Sequence, residues 1–207
     1  NFTSDPNVVF APHNYFEVIT QDILTIEQGA ELYDGLANLY GTHCFIGEWG
    51  VFENITSGLP KLERFAAVED ALFMGSTWWQ WCQAPGDPHG ISWDGNSYAA
   101  SSNHLLSVLA DGSYSGQMNL DYLAVLSRTR PLAIHGTPSQ LVSNSKDGTM
   151  QLKAYANEEG ITELWVPDRF GTPIIGGTIL SSEIQQVLGG YKVAVSVKGA
   201  YEITIGF

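Results

Sequence analysis

Short apolar runs alternate with longer stretches of helical spacing through the first 130 residues. Residues 7 to 13 read N-V-V-F-A-P-H behind Pro6 and give way to polar Asn14 and Tyr15, a first strand. Ile23, Ile26, Ala30, Tyr33, Ala37 and Tyr40 then recur by threes and fours, the period of a helix, until Gly41 stops it. Cys44-Phe45-Ile46 is too short for a helix and reads as a buried strand, ending at Glu48 between two glycines, with Trp49 directly after. Leu62, Phe65, Ala66, Glu69 and Leu72 carry a second helical repeat, with Pro60 in its first turn, where a missing N–H does no harm. A third strand, S-T-W-W-Q-W-C, follows Gly75. Residues 83 to 117 form a long Gly/Asp/Ser/Asn-rich stretch of the kind used as lids or binding loops. The segment 119 to 128 is a last helix with Asn119 as N-cap, ended by Pro131.

Strand, helix, strand, helix, strand with short connections predicts a parallel sheet with right-handed crossovers. From about residue 132 the period changes to two, in Met150 to Tyr155, Ile161 to Val166, Tyr191 to Val197 and Tyr201 to Ile205. Asp147-Gly148, Glu159-Gly160, Gly189-Gly190 and Lys198-Gly199 are the expected turns between them, which predicts a small antiparallel sandwich. The fold class is therefore α/β plus all-β, with residues 1–130 the parallel segment and 131–207 the sandwich.

Composition narrows the partners. The chain of 207 residues is 44% hydrophobic, enough for a core, and carries a net charge of −13 with nine Lys and Arg. That disfavours nucleic acid and anionic membrane surfaces, because few cations are present to neutralise phosphate. No apolar run has transmembrane length. Asn1-Phe2-Thr3 and Asn54-Ile55-Thr56 are glycosylation acceptors, and the first residue is Asn rather than Met, which reads as a processing point or an artificial boundary of the sequence. Together they favour a secreted or endomembrane, lysosome-like lumenal setting. Cys44 and Cys82 fall on different strands and are expected as two free buried thiols. No metal or cofactor is implied, since His43, His89, His104 and His135 show no ligand spacing.

The three parallel strands all end in groups suited to gripping a sugar. The first delivers His13 and Tyr15, two residues apart and so on one face. The second ends in Glu48, and the third in Trp78, Trp79 and Trp81. A carboxylate at the end of a buried strand is costly unless paired or useful, and catalytic groups of (β/α)8 barrels sit at the C-terminal ends of strands.

This pattern resembles the last three strands of glycoside hydrolase family 5, a retaining group built on a (β/α)8 barrel. His13-Asn14-Tyr15 is similar to the end of that family's sixth strand, I-G-E-W-G around Glu48 to the seventh, and G-S-T-W-W-Q-W to the eighth. R-T-R-P-L-A-I-H-G-T-P (128 to 138) and T-E-L-W-V-P (162 to 167) resemble the C-terminal β-sandwich of the endoglycoceramidase-like branch. The resemblance implies Glu48 as nucleophile, Tyr15 as a hydrogen-bond donor to it, and His13 as a group touching both site and sugar. It implies Trp79 as the floor of the cleaved-sugar subsite, with Asn14 also a substrate contact. The implied substrate is a glycolipid β-glycoside of the glycosylceramide type, with a steryl glucoside second. Ile91, Trp93 and Tyr98 are candidates for an aglycone groove.

A retaining glycosidase needs a second carboxyl about 5 Å from the nucleophile as acid/base. The family carries it in an Asn-Glu-Pro setting after the fourth strand, and this sequence has no such triplet; Asn157-Glu158-Glu159 falls in the sandwich. Three strands also leave a barrel of about 250 residues incomplete. The expectation is an N-terminal half supplied by a companion chain or cleaved precursor, without which this chain is inactive. The competing readings are a structural or carbohydrate-binding protein on the same scaffold, and a small α/β binding domain with an appended sandwich.

Overall fold

The computed structural model describes residues 5, 7–19, 23–51, 55–83, 105–108 and 113–207. Asn1, Asn54, Ile91, Trp93, Tyr98, His89 and His104 lie outside them, so the glycosylation acceptors and the aglycone groove do too. The chain divides into two compact units, Asn1–Leu123 and Ala124–Phe207.

In the first unit, β1 (Val9–Phe10), β2 (His43–Trp49) and β3 (Gly75–Trp78) form one sheet in the order β1-β2-β3, and both pairings are parallel. Helix α1 (Ile26–Tyr40) joins the first two. Thr25 caps it, its hydroxyl accepting from Gln28 N at 3.1 Å while Gln28 Oε1 accepts from Thr25 N at 3.0 Å. Gly41, at φ 67°, ends it in the left-handed conformation. Ile23, expected within that helical pattern, precedes the helix and is exposed.

Helix α2 (Ile55–Leu72) joins β2 to β3 and begins earlier than its apolar repeat indicated, so Pro60 lies inside it rather than in its first turn. Leu62, Phe65 and Ala66 face the core. Trp49 stacks on Phe65 at 3.7 Å between ring centroids and meets Trp78 edge-on at 4.9 Å. Its indole N–H donates to Ser76 Oγ at 2.7 Å, satisfying the polar atom of a buried ring. The long stretch after β3 contains structure that its composition hid. β4 (Cys82–Gln83), β5 (Leu106–Val108) and β6 (Tyr114–Met118) make a second small sheet, so Cys82 belongs to β4 rather than to the third parallel strand. Cys44 is a free thiol, half-buried rather than buried, and burial pushes its pKa up to about 11 with a contribution from Asp34. Helix α3 (Leu120–Leu126) follows, with Asn119 Oδ1 accepting from Tyr122 N at 3.2 Å, an N-cap.

The second unit is one antiparallel sheet. β7 (Arg130–Ala133) and β8 (Thr137–Ser143) pair with β9 (Met150–Pro167); β10 (Ile174–Thr178) and β11 (Ser181–Val187) pair with β12 (Gly190–Gly206). β9 and β12 lie side by side at the centre. The segments expected as four strands are thus two long ones. Glu159-Gly160 and Lys198-Gly199 are not turns but an irregularity inside them, where Gly160 pairs Val197 and Ala156 pairs Gly199.

Three residues of β9 oppose one of β12 there, and the extra length bends the sheet. A straight strand of β9's length would run roughly 60 Å. Yet a Cβ on Gly148, before β9, would lie 2.3 Å from the ring of Phe170, just after it. The sheet therefore doubles back on itself, with Leu152, Leu164, Val166, Val193, Val195 and Ile203 almost wholly buried.

Candidate active site

The site begins with a change of step in β2. Against β1, Phe10 pairs Cys44 and His13 pairs Glu48, so three steps on β1 match four on β2. Against β3, Ile46 pairs Ser76 and Trp49 pairs Trp78, so two steps on β3 match three on β2. β2 therefore carries one extra residue at Gly47–Glu48, a bulge. Without it, Ile46 and Glu48 would share a face, because strand side chains alternate. With it, Ile46 and Trp49 both pack toward the helices, and Glu48 turns to the opposite face, a re-aiming for which bulges are used beside active sites.

β1's continuation meets Glu48 there. Asn14 N–H donates to Glu48 O at 2.9 Å and Gly47 N–H to Pro12 O at 2.8 Å, extending the ladder past β1. His13 and Tyr15 project to the Glu48 side. Tyr15 Oη donates to Glu48 Oε1 at 2.9 Å, and His13 Nδ1 lies 3.4 Å from the same oxygen. The Glu48 side chain is 25% exposed and His13 58%, so the carboxylate is half-sheltered while the imidazole stands open. Burial, then the hydrogen bond to Glu48 and its charge, hold the Tyr15 phenol far above its ordinary ionisation range, keeping it a donor.

Asn14 does not join them. It is 2% exposed and points the other way: its Nδ2 donates to Ile26 O at 3.3 Å and its Oδ1 accepts from Phe16 N at 3.3 Å. The expectation that Asn14 contacts substrate is corrected by strand alternation: between His13 and Tyr15, it must face the helices and tie the strand to α1. Gly29 of α1 allows that approach, since a Cβ there would lie 2.2 Å from the Phe16 ring.

The tryptophans separate by the same rule. Trp78 is packed between Trp49 and Tyr122 on the helix side. Trp79 N–H donates to Trp49 O at 2.7 Å, so the ladder runs on through Trp79 and its side chain falls on the Glu48 face. Trp81 lies past the strand and is 59% exposed. Gly50 makes this closure possible: a Cβ there would stand 2.2 Å from Trp79 O.

Two further side chains, which the sequence pattern does not single out, brace the site. Tyr33 Oη donates to His13 O at 3.1 Å, and the Thr77 hydroxyl donates to Gly47 O. Only the glycines flanking Glu48 hinted at an irregular strand.

No protein-family model matches the sequence, and no curated protein matches it. Solved structures do. The crystal structure of endogalactoceramidase superposes with a TM-score of 0.77 and 24% identity over 98% of this chain and 43% of that one. The chain has the fold of part of an endoglycoceramidase. Endo-glycoceramidase II from Rhodococcus sp. matches at TM-score 0.57 and 16% identity, over 87% of this chain and 37% of that one. Cryptococcus neoformans sterylglucosidase 1, solved with tris, matches at 0.58 and 14%, over 86% and 31%. The chain spans less than half the length of each of these structures.

Proposed function

We propose that this chain carries the nucleophile side of a retaining β-glycosidase of glycoside hydrolase family 5 acting on glycolipids. The observation that carries the reading is the bulged strand end that sets Glu48 against the Tyr15 hydroxyl at 2.9 Å, with His13 beside it. An ionised, oriented carboxylate at a strand end is what attack at an anomeric carbon requires. Glu48 would bond to that carbon as the glycosidic C–O bond breaks, and a second carboxyl would protonate the departing aglycone oxygen. Water, deprotonated by that second group, would then release the sugar from Glu48 and restore both carboxyls. As charge leaves Glu48 in the first step, Tyr15 keeps the carboxylate aligned. His13 would bond a sugar hydroxyl, and Trp79 would stack on the ring's apolar face.

Residues 1–130 fit this role as the sixth to eighth strands of a (β/α)8 barrel, with the acid/base and the remaining strands supplied by an N-terminal partner chain or segment. β1 and β3 are the edges of their sheet among the described residues, so their outer backbone groups suit pairing with such a partner. One of the Rhodococcus structures is a lactosyl-enzyme intermediate and another a ganglioside GM3 complex, which supports a covalent route and a glycosphingolipid substrate. The likeness to sterylglucosidase 1 favours a steryl β-glucoside as the second reading. Asn1 and Asn54, as acceptors, support a secreted or endomembrane lumenal location.

The test is mechanism-based labelling. A 2-deoxy-2-fluoro glycoside incubated with the completed enzyme should add its sugar to the peptide containing Glu48. Turnover with the label on a different carboxylate, or turnover with inversion, would reject the assignment.

A further inference from the structure

Two residues beyond Tyr15 the backbone enters the left-handed region at Glu17, φ 61°. A residue with a Cβ holds that conformation only where its surroundings over-determine it. Three contacts from the two helices do so here. Arg64 Nη1 of α2 lies 2.9 Å from Glu17 Oε2. Lys61 Nζ, one helical turn earlier, donates to Glu17 O at 2.5 Å. Ile26 N–H, at the head of α1, donates to Glu17 Oε2 at 3.4 Å. Arg64 also grips Glu27 of α1 with two bonds, Nε to Oε1 at 2.7 Å and Nη2 to Oε2 at 2.5 Å.

The turn that Glu17 shapes closes directly on Tyr15, whose carbonyl accepts from Val18 N at 3.1 Å and Ile19 N at 2.9 Å. Tyr15 is thus held from before by the ladder at Asn14 and from behind by this turn. We propose that Arg64, through Glu17, is a positioning residue that fixes the direction from which the Tyr15 hydroxyl meets Glu48. The inference rests on the reading of Glu48 as nucleophile. An arginine suits the task because its planar fork serves two carboxylates at once, whereas a lysine offers a single point charge. A small shift of a donor that must meet one carboxylate oxygen is enough to cost turnover without touching substrate affinity.

A double-mutant cycle in the completed enzyme tests this. Arg64→Met should lower kcat about tenfold or more with KM little changed, and Arg64→Lys, which can serve only one of the two carboxylates, should recover only a small part of the loss. In a Tyr15→Phe background the same Arg64→Met change should move kcat by less than about twofold, because the two residues act as one unit. Should Arg64→Met not fold, Glu17→Gln, which keeps the shape and removes the charge, takes its place in the cycle. Equal factors in both backgrounds, a Tyr15→Phe enzyme with full kcat, or a lowered Tm with kcat unchanged would overturn the proposal. The nucleophile reading fails separately, through a Glu48→Gln enzyme that keeps its turnover.

Discussion

The phenol of Tyr15 and the carboxylate of Glu48, thirty-three positions apart in the chain, meet at 2.9 Å because two parallel strands end at the same level. The first strand supplies Tyr15 by simple alternation, and the second supplies Glu48 by breaking it.

Glu48→Gln should lower turnover by several orders of magnitude while leaving Tm nearly unchanged. The attacking oxygen is lost, but an isosteric amide keeps an oxygen for Tyr15 to donate to. Steady-state kinetics and a melting curve on one preparation decide it.

The Tyr15 hydroxyl should ionise late. Its pKa is raised by burial first and by Glu48 second, so its contribution to stability is complete below pH about 10 and is lost as pH climbs toward the folded-state value. Ultraviolet titration of phenolate should show a late phase, to which Tyr33 and Tyr201, both also raised, contribute. Tyr15→Phe should shrink that late phase; an unchanged late amplitude would contradict the placement.

Glu27 gives the opposite sign. The Arg64 guanidinium lowers its pKa to about 2, from an ordinary 4.5. Its contribution is therefore full above pH about 4.5 and disappears as pH falls through about 2. The Tm difference between wild type and Glu27→Gln should be level near neutrality and close up across that window. Both side chains are more than a third exposed, so the effect should be small and should weaken with added salt.

Adjacent tryptophans should divide stability from binding. Trp78→Ala empties the space between Trp49 and Tyr122 and should cost about 3–5 kcal/mol. Trp79→Ala should instead weaken sugar affinity and turnover with a smaller change in Tm. Denaturant unfolding and inhibitor binding on both variants separate the two, and a reversed pattern would mean that the strand phase is inverted.

Gly50→Ala should damage the site from behind. The added Cβ would meet the Trp79 carbonyl at 2.2 Å, and backbone cannot rotate away as a side chain can. A loss of about 1–3 kcal/mol of stability is expected from forced separation of the β2 and β3 ends, with turnover reduced further. Gly35→Ala, where a Cβ meets nothing within 4 Å, is the matched control.

Local pattern sufficed wherever one element's own period carried the information. Helix α1 with its Gly41 stop, the cap at Asn119, the three short parallel strands and the shared face of His13 and Tyr15 all follow from spacing alone. So did the types of residue at the strand ends. Three matters were decided only in the tertiary structure. The face of Glu48 depends on an extra residue in β2, defined by register against β1 and β3 and therefore not a property of β2's sequence. Asn14, chemically a plausible sugar contact, is claimed instead by the head of α1, which only packing brings within reach. In the second unit, Glu159-Gly160 and Lys198-Gly199 have turn composition, yet each opposes the other strand's irregularity, so the two long strands bend together and continue. A turn and a bulge draw on the same residues; which one forms depends on whether a neighbouring strand is there to keep the backbone hydrogen-bonded.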